Sequence, residues 1–449
     1  MWLLTAIVVS AWYFGQVILG FIAMAFVFIM VMCLNDDATP ALPVLATVAF
    51  IIPIQAAQDP ATFIEQNFVL MAVLVGLIFL SVAVFFILNR RRFTFGKQFI
   101  GLAVGAVAFL CSGLLYDTNA WLASVPSVSM YVIVVFLVYL LCVNGVSRDV
   151  PKTYFAKIFM HVGIIMVLNT TIFYVFDGRP FEVLIHAKAI NFGWGISNNL
   201  GSMLLFSIPM TMYLVVREDK TIFHTIYYVF WFVVQVLALI LSLSRGAVLP
   251  AVVGVPACIV YAFIFARKKT KLIVSLAVVL ALTAGLFIWQ WDKVQLVFSR
   301  YTVVGEGGTI YDSGRLDLYS KAWQDFLKSP VFGLSPFHTV DPMAGQFSPL
   351  WYHNTVMQVL ANAGIFGIIG FVIHLICKYR VLCTRKAKKI NKFILISVIM
   401  WSIHGLLDPC YSIVSQLILF VILLAFAELG VPKDFKVFPQ TKKKSKRLY

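Results

Sequence analysis

Apolar runs of about 20 residues recur along this chain, separated by short polar or basic segments, and they constrain its solvent before anything else. Such a run crosses a bilayer as a helix, because a helix satisfies its own backbone hydrogen bonds in hydrocarbon. A transmembrane β-barrel would alternate apolar and polar residues, and these runs do not. Of the 449 residues, 61% are hydrophobic and 12% charged, which leaves too little polar surface to wrap a soluble protein of this size. The reading is an all-α polytopic integral membrane protein with about thirteen or fourteen transmembrane helices. Residues 1–34 form one long helix or two short ones. Further spans are expected at about 42–57, 66–88, 98–115, 126–144, 155–176, 196–216, 222–242, 246–266, 271–290, 354–377, 393–407 and 412–430. The first residues lack a basic start and a small-residue cleavage site, and read as a retained span.

The net charge of +16 is not a nucleic-acid signature here, because the basic residues sit in alternate inter-helix segments. Arg90–Arg92, Arg148–Lys157, Arg217–Lys220, Arg267–Lys271, Lys378–Lys392 and the tail after Thr441 follow every second span. That is the positive-inside pattern, and it puts the C-terminus in the cytoplasm. The expected organisation is 1–290 N-terminal transmembrane helices, 291–353 an outer loop, 354–430 C-terminal transmembrane helices, and 431–449 a basic cytoplasmic tail. Asp312 or Ser313 is placed to cap an amphipathic helix in the outer loop that starts near Arg315 and ends at Pro330. Leu316, Tyr319, Trp323, Phe326 and Leu327 recur at helical spacing, an apolar face to lie on membrane or bundle. Seven cysteines are scattered singly, with no paired spacing. No cluster has metal-ligand spacing and no phosphate loop occurs, so no metal or other cofactor is expected.

His353 stands just before the span at 354–377, at the outer interface. A histidine there is able to take a proton from a hydroxyl, and a helix N-terminus favours its neutral ring. Its bland alternative is an interfacial histidine without a role. Arg245, in the tight turn SLSRGA, and Arg315 are anion-binding candidates, since guanidinium groups offer phosphate two parallel hydrogen bonds. Lipid-headgroup binding is the alternative for Arg245. Arg300 is a weaker candidate and equally an anchor for the preceding span. Asn198 and Asn199 open the span at 196–216 and are placed to bind sugar hydroxyls or to cap the helix. Asn354, beside His353, is grouped with the substrate-binding residues. Gly364, Gly367 and Gly370 recur every third residue and permit close helix contact. His404 and Asp408 lie near the outer end of another span, where a mutual hydrogen bond accounts for them as well as function does.

His353–Asn354, nine residues, then Gly364, Gly367 and Gly370 resembles the H-N-x9-G-x-x-G-x-x-G signature of the bacterial O-antigen ligase and O-antigen polymerase family. The segment SGRLDLYSKAWQDFLKSPVFGLSP resembles that family's S-G-R…P-x-x-G stretch, and SLSRGA its S-R-G segment. The resemblance covers roughly residues 190–430. It implies a GT-C-like helical glycosyltransferase of the bacterial cytoplasmic (inner) membrane. Such an enzyme moves a glycan from an undecaprenyl-diphosphate carrier to a glycan or lipid-linked acceptor on the outer face, without nucleotide sugar or metal. It implies further that Arg245 and Arg315 hold the diphosphate and that His353 activates the acceptor hydroxyl. Polysaccharide polymerases are favoured over ligases, since generic members are common in capsule and exopolysaccharide clusters. The rival class is a transporter or flippase of lipid-linked oligosaccharide; against it stands the lack of an internal repeat.

Overall fold

A computed structural model describes residues 1–51, 67–89, 93–188, 190, 197–217, 221–302, 314–335, 352–384, 389–432 and 435–437. The regular structure of these residues is helical, with no strand among them. The chain opens with α1 (Trp2–Tyr13), α2 (Val17–Leu34), α3 (Leu42–Ile51), α4 (Phe68–Leu88), α5 (Phe99–Leu110) and α6 (Thr118–Gly145). It continues with α7 (Lys152–Phe176), the short α8 (Phe181–His186), α9 (Ser197–Arg217), α10 (Ile222–Leu241), α11 (Arg245–Phe265) and α12 (Lys269–Trp289). The last five are α13 (Trp291–Tyr301), α14 (Arg315–Lys328), α15 (Thr355–Cys383), α16 (Ile390–His404) and α17 (Val414–Leu429). Among the described residues, eight helices are long and apolar enough to cross a membrane, and shorter apolar helices accompany them. The protein is therefore a polytopic membrane protein. Residues 1–34 form two helices, because Gly15 breaks the run at φ +67°.

The core is built on α9. Its whole apolar stretch is buried, against α7, α10, α11 and α16. Hydrocarbon supplies no water to satisfy a polar group, so those between these helices pair with each other. Ser207 and Thr211 of α9 each donate to Gln235 Oε1 of α10, at 3.2 Å.

Two helices lie at the site. The first is α15, one candidate membrane span whose helix is nonetheless broken. Gly364 sits inside it at φ +64°, ψ −156°, outside the helical region. The carbonyls of Val331 and Pro330 lie 2.5 and 2.6 Å from where a Cβ on Gly364 would stand, so only glycine fits. Ile365 and Phe366 N–H donate to those two carbonyls, while Leu334 and Ser335 N–H donate to Ala361 and Asn362 O. The segment after α14 thus satisfies both helix ends exposed by the break. Gly364 serves the turn, Gly367 meets Ala363 of its own helix, and Gly370 lets α15 approach Ala108 and Val104 of α5.

The second is α14. The helix spans 315–328, but Leu316, Trp323 and Leu327 are exposed, while Ala322, Asp325 and Phe326 are buried. A buried carboxylate joins the apolar packing of Ala322 and Phe326 as the anchor. Asp325 accepts from Lys328 Nζ at 2.6 Å and from Tyr352 Oη at 2.7 Å. The expected cap residues Asp312 and Ser313 lie outside the described residues, and Gly314 occupies the N-cap position.

Candidate functional site

His353 is held between α14 and the start of α15. Tyr352 is fully buried and bonded to Asp325, and its N–H donates to Gln358 Oε1 at 3.0 Å. His353 itself adopts φ +49°, a left-handed backbone that a non-glycine residue keeps only when its surroundings enforce it. Asn354, expected among the substrate contacts, is already engaged. Its oxygen accepts from Val356 and Met357 N–H as the N-cap of α15, and its nitrogen donates to Leu406 O.

The partner of His353 comes from residues 405–413, between α16 and α17. His353 Nδ1 lies 2.9 Å from Asp408 Oδ1. An ionised carboxylate only accepts, so Nδ1 is the donor, and in the neutral ring Nε2 is the nitrogen with the lone pair. The side chain is 32% exposed and that of Asp408 6%. Thr355 fastens this segment to α15: its N–H donates to Gly405 O, its hydroxyl donates to Asp408 O, and it accepts from Cys410 N–H. Behind Asp408 stands His404, with Nε2 at 3.9 Å from Oδ2. A Cβ on Gly246 would come within 3.1 Å of the His404 ring, so the glycine after Arg245 makes room for it. The α16 helix has 15 residues and ends on His404, which is fully buried in the bundle.

Facing this pair is a group of cations. Arg245 opens α11 and donates through Nη2 to Arg300 O at 3.0 Å; Arg300 closes α13, and Arg315 opens α14. A fourth cation, Lys188 in the turn after α8, was not anticipated. The charges of Arg315, Arg300 and Arg245 all bear on it, together with that of Asp408. Burial, the largest cause, and the three arginines push its ammonium below the usual lysine range, with Asp408 opposing. Lys188 Nζ is 3.5 Å from Asn198 Oδ1, which also accepts from Ser244 Oγ at 2.8 Å. Ser244 in turn caps α11. The start of α9, carrying Asn198, and the start of α11, carrying Arg245, therefore meet here, and helix N-termini favour anions. Asn199 points elsewhere: its oxygen accepts from Gln416 Nε2 at 3.1 Å, inside the bundle. Sequence reasoning left Asp408 outside the site and missed Lys188. For Asp408 the signal was a carboxylate in an apolar stretch; Lys188 has none.

An apolar cavity of about 170 Å³ lies beside the pair, between α5, α6, α15 and α17. Thr355 and Pro409, close in the chain to His353 and Asp408, are among its lining residues, as are Gly101, Gly105, Ala363 and Gly367.

The fold and this arrangement define a polytopic membrane protein with a histidine–aspartate pair facing clustered cations beside an apolar cavity. Residues 230–372 match the family model described as O-antigen ligase. The match takes in Arg245, Arg300, Arg315 and His353, and it supports a likeness of this part of the chain to the O-antigen ligase/polymerase family. No curated protein matches the chain.

Proposed function

We propose that the chain is a glycosyltransferase that takes its glycan from an undecaprenyl-diphosphate carrier, on the outer face of the bacterial cytoplasmic membrane. The observation that carries this reading is the charge arrangement. Arg245, Arg300 and Arg315 all act on Lys188, and among the described residues Asp408 is the one carboxylate whose charge bears on it. Asp408 is already bonded to His353. The excess positive charge suits a diphosphate, and the adjoining apolar cavity suits part of a polyprenyl chain.

In the proposed reaction the acceptor hydroxyl gives its proton to His353 Nε2 as its oxygen attacks the anomeric carbon. A new carbon–oxygen bond forms there. The bond from that carbon to the phosphate oxygen breaks, and its electron pair leaves with the polyprenyl diphosphate. Fixed cations stabilise the charge on the leaving group, and Asp408 stabilises the imidazolium that forms. The acceptor is a glycan or lipid-linked hydroxyl, with chain-to-chain polymerisation favoured.

The test is product size. Detergent-solubilised protein given an undecaprenyl-diphosphate oligosaccharide and an acceptor glycan should lengthen the acceptor, whereas a flippase would alter only sidedness. His353→Ala should lose about a hundredfold to ten-thousandfold in rate while still binding donor. Arg245→Ala and Arg315→Ala should weaken donor binding too, and Arg→Lys should restore it only in part, since lysine lacks the planar fork. Unchanged glycan length with the intact protein would reject the transferase reading.

A further inference from the structure

We propose that Lys188 is a diphosphate-binding residue whose ammonium contacts the carrier's phosphate oxygens and works beside the arginines. This rests on the transferase reading for its substrate, but three features of Lys188 lead to it. The first is its backbone. Among the described residues, the non-glycine positions with positive φ are Lys188 at +49°, Leu243 at +57°, Ser335 at +84° and His353 at +49°. His353 is the proposed base and Leu243 lies two residues before Arg245. Lys188 shares their strained conformation, which costs free energy and persists where surroundings impose it.

The second feature is its bonding. The ammonium has three donors, and among the described residues its one hydrogen bond to a side chain is long, 3.5 Å to Asn198 Oδ1, an oxygen already occupied by Ser244 at 2.8 Å. A partly buried ammonium held so loosely keeps donors for a ligand.

The third is its company. Asp408 from the 405–413 segment, Arg315 of α14, Arg300 of α13 and Arg245 of α11 all act on Lys188. Its own charge acts on His404 of α16. It therefore lies amid the elements that carry the base and the arginines. A lysine serving structure alone would pair with the carboxylate, but among the described residues Asp408 pairs with His353 and not with Lys188.

Lysine is also the one cation of the four able to lose its charge in an accessible pH range. Its folded-state value is lowered, so the ammonium is complete below that value and is lost as pH rises through it. Donor binding should then weaken on the alkaline side earlier than an ordinary lysine would dictate, and an arginine in its place should remove that dependence.

The experiment measures binding of undecaprenyl diphosphate to the full-length, detergent-solubilised protein from pH 6 to 10, beside Lys188→Met and Lys188→Arg, with thermal unfolding of each. Lys188→Met should weaken binding about tenfold to a hundredfold at neutral pH, the worth of a hydrogen bond to a charged group. It should also flatten the alkaline fall. Lys188→Arg should bind nearly as the parent does and hold its affinity to higher pH. Parental affinity with an unmoved alkaline fall in Lys188→Met would overturn the proposal. So would a loss in Lys188→Met that tracks lowered unfolding temperature and is not restored in Lys188→Arg. Binding is read without turnover, so a protein that binds the carrier but transfers no glycan would reject the transferase reading and leave this result standing.

Discussion

Asp408→Asn isolates the electrostatic part of the proposed mechanism. The amide keeps the size of the carboxylate and retains an oxygen able to accept from His353 Nδ1, so the hydrogen bond survives and the charge does not. Two unit charges at the 2.9 Å separation seen here attract by about 1.4 kcal/mol at the dielectric of water and about 5.7 kcal/mol at an effective value of 20. With its side chain 32% exposed, His353 lies between these limits. The stabilisation of the imidazolium lost on substitution corresponds to roughly tenfold to a thousandfold in rate, since each ~1.4 kcal/mol is a factor of ten. Donor affinity should behave oppositely. Among the described residues Asp408 is the one negative charge acting on Lys188, so removing it leaves the cations less compensated, and undecaprenyl diphosphate should bind as tightly or more tightly. Single-turnover rates and donor binding on the same preparation read both effects. Turnover within about threefold of the parent would refute the role of Asp408 as the stabiliser of a charged His353, judged against the tenfold floor. A parallel loss of rate and affinity would show instead that Asp408 holds the shape of the site.

Gly364→Ala should unfold the site end of the bundle, because it forces a side chain into the left-handed region at φ +64° with backbone carbonyls within 2.6 Å of the new Cβ. The conformation alone costs about 1–3 kcal/mol; Gly105→Ala, with nothing within 4 Å of its Cβ, should be mild, and thermal unfolding compares them. Ala322→Asp should destabilise strongly in detergent, since Ala322 is fully buried, whereas Trp323→Asp should be tolerated there at 51% exposure; equal tolerance would show that α14 does not dock as described. In a cysteine-free background, Ser320→Cys should react with an impermeant thiol reagent in whole cells and Ser445→Cys should not; the reverse labelling would put the site on the cytoplasmic side.

The division between what was legible in the chain and what was not follows the range of the forces involved. Continuous apolar runs declared the helices, because a backbone in hydrocarbon has no other way to satisfy itself locally. Where polar residues interrupt those runs, Arg245, Arg315 and His353 marked one end of the bundle, and the helix at 315–328 showed in its period and its proline stop. The α14 period did not say which face docks, since Asp325 is buried through Tyr352, 27 residues away. Nor did the glycine spacing in α15 disclose the break at Gly364, which exists because carbonyls of residues 330 and 331 arrive to cap it. The pairing of His353 with Asp408 spans 55 residues, and Lys188 joins the arginines only because α8, α11, α13 and α14 converge. Such contacts depend on which helices lie side by side, a property of the whole packing that no local pattern of residues records.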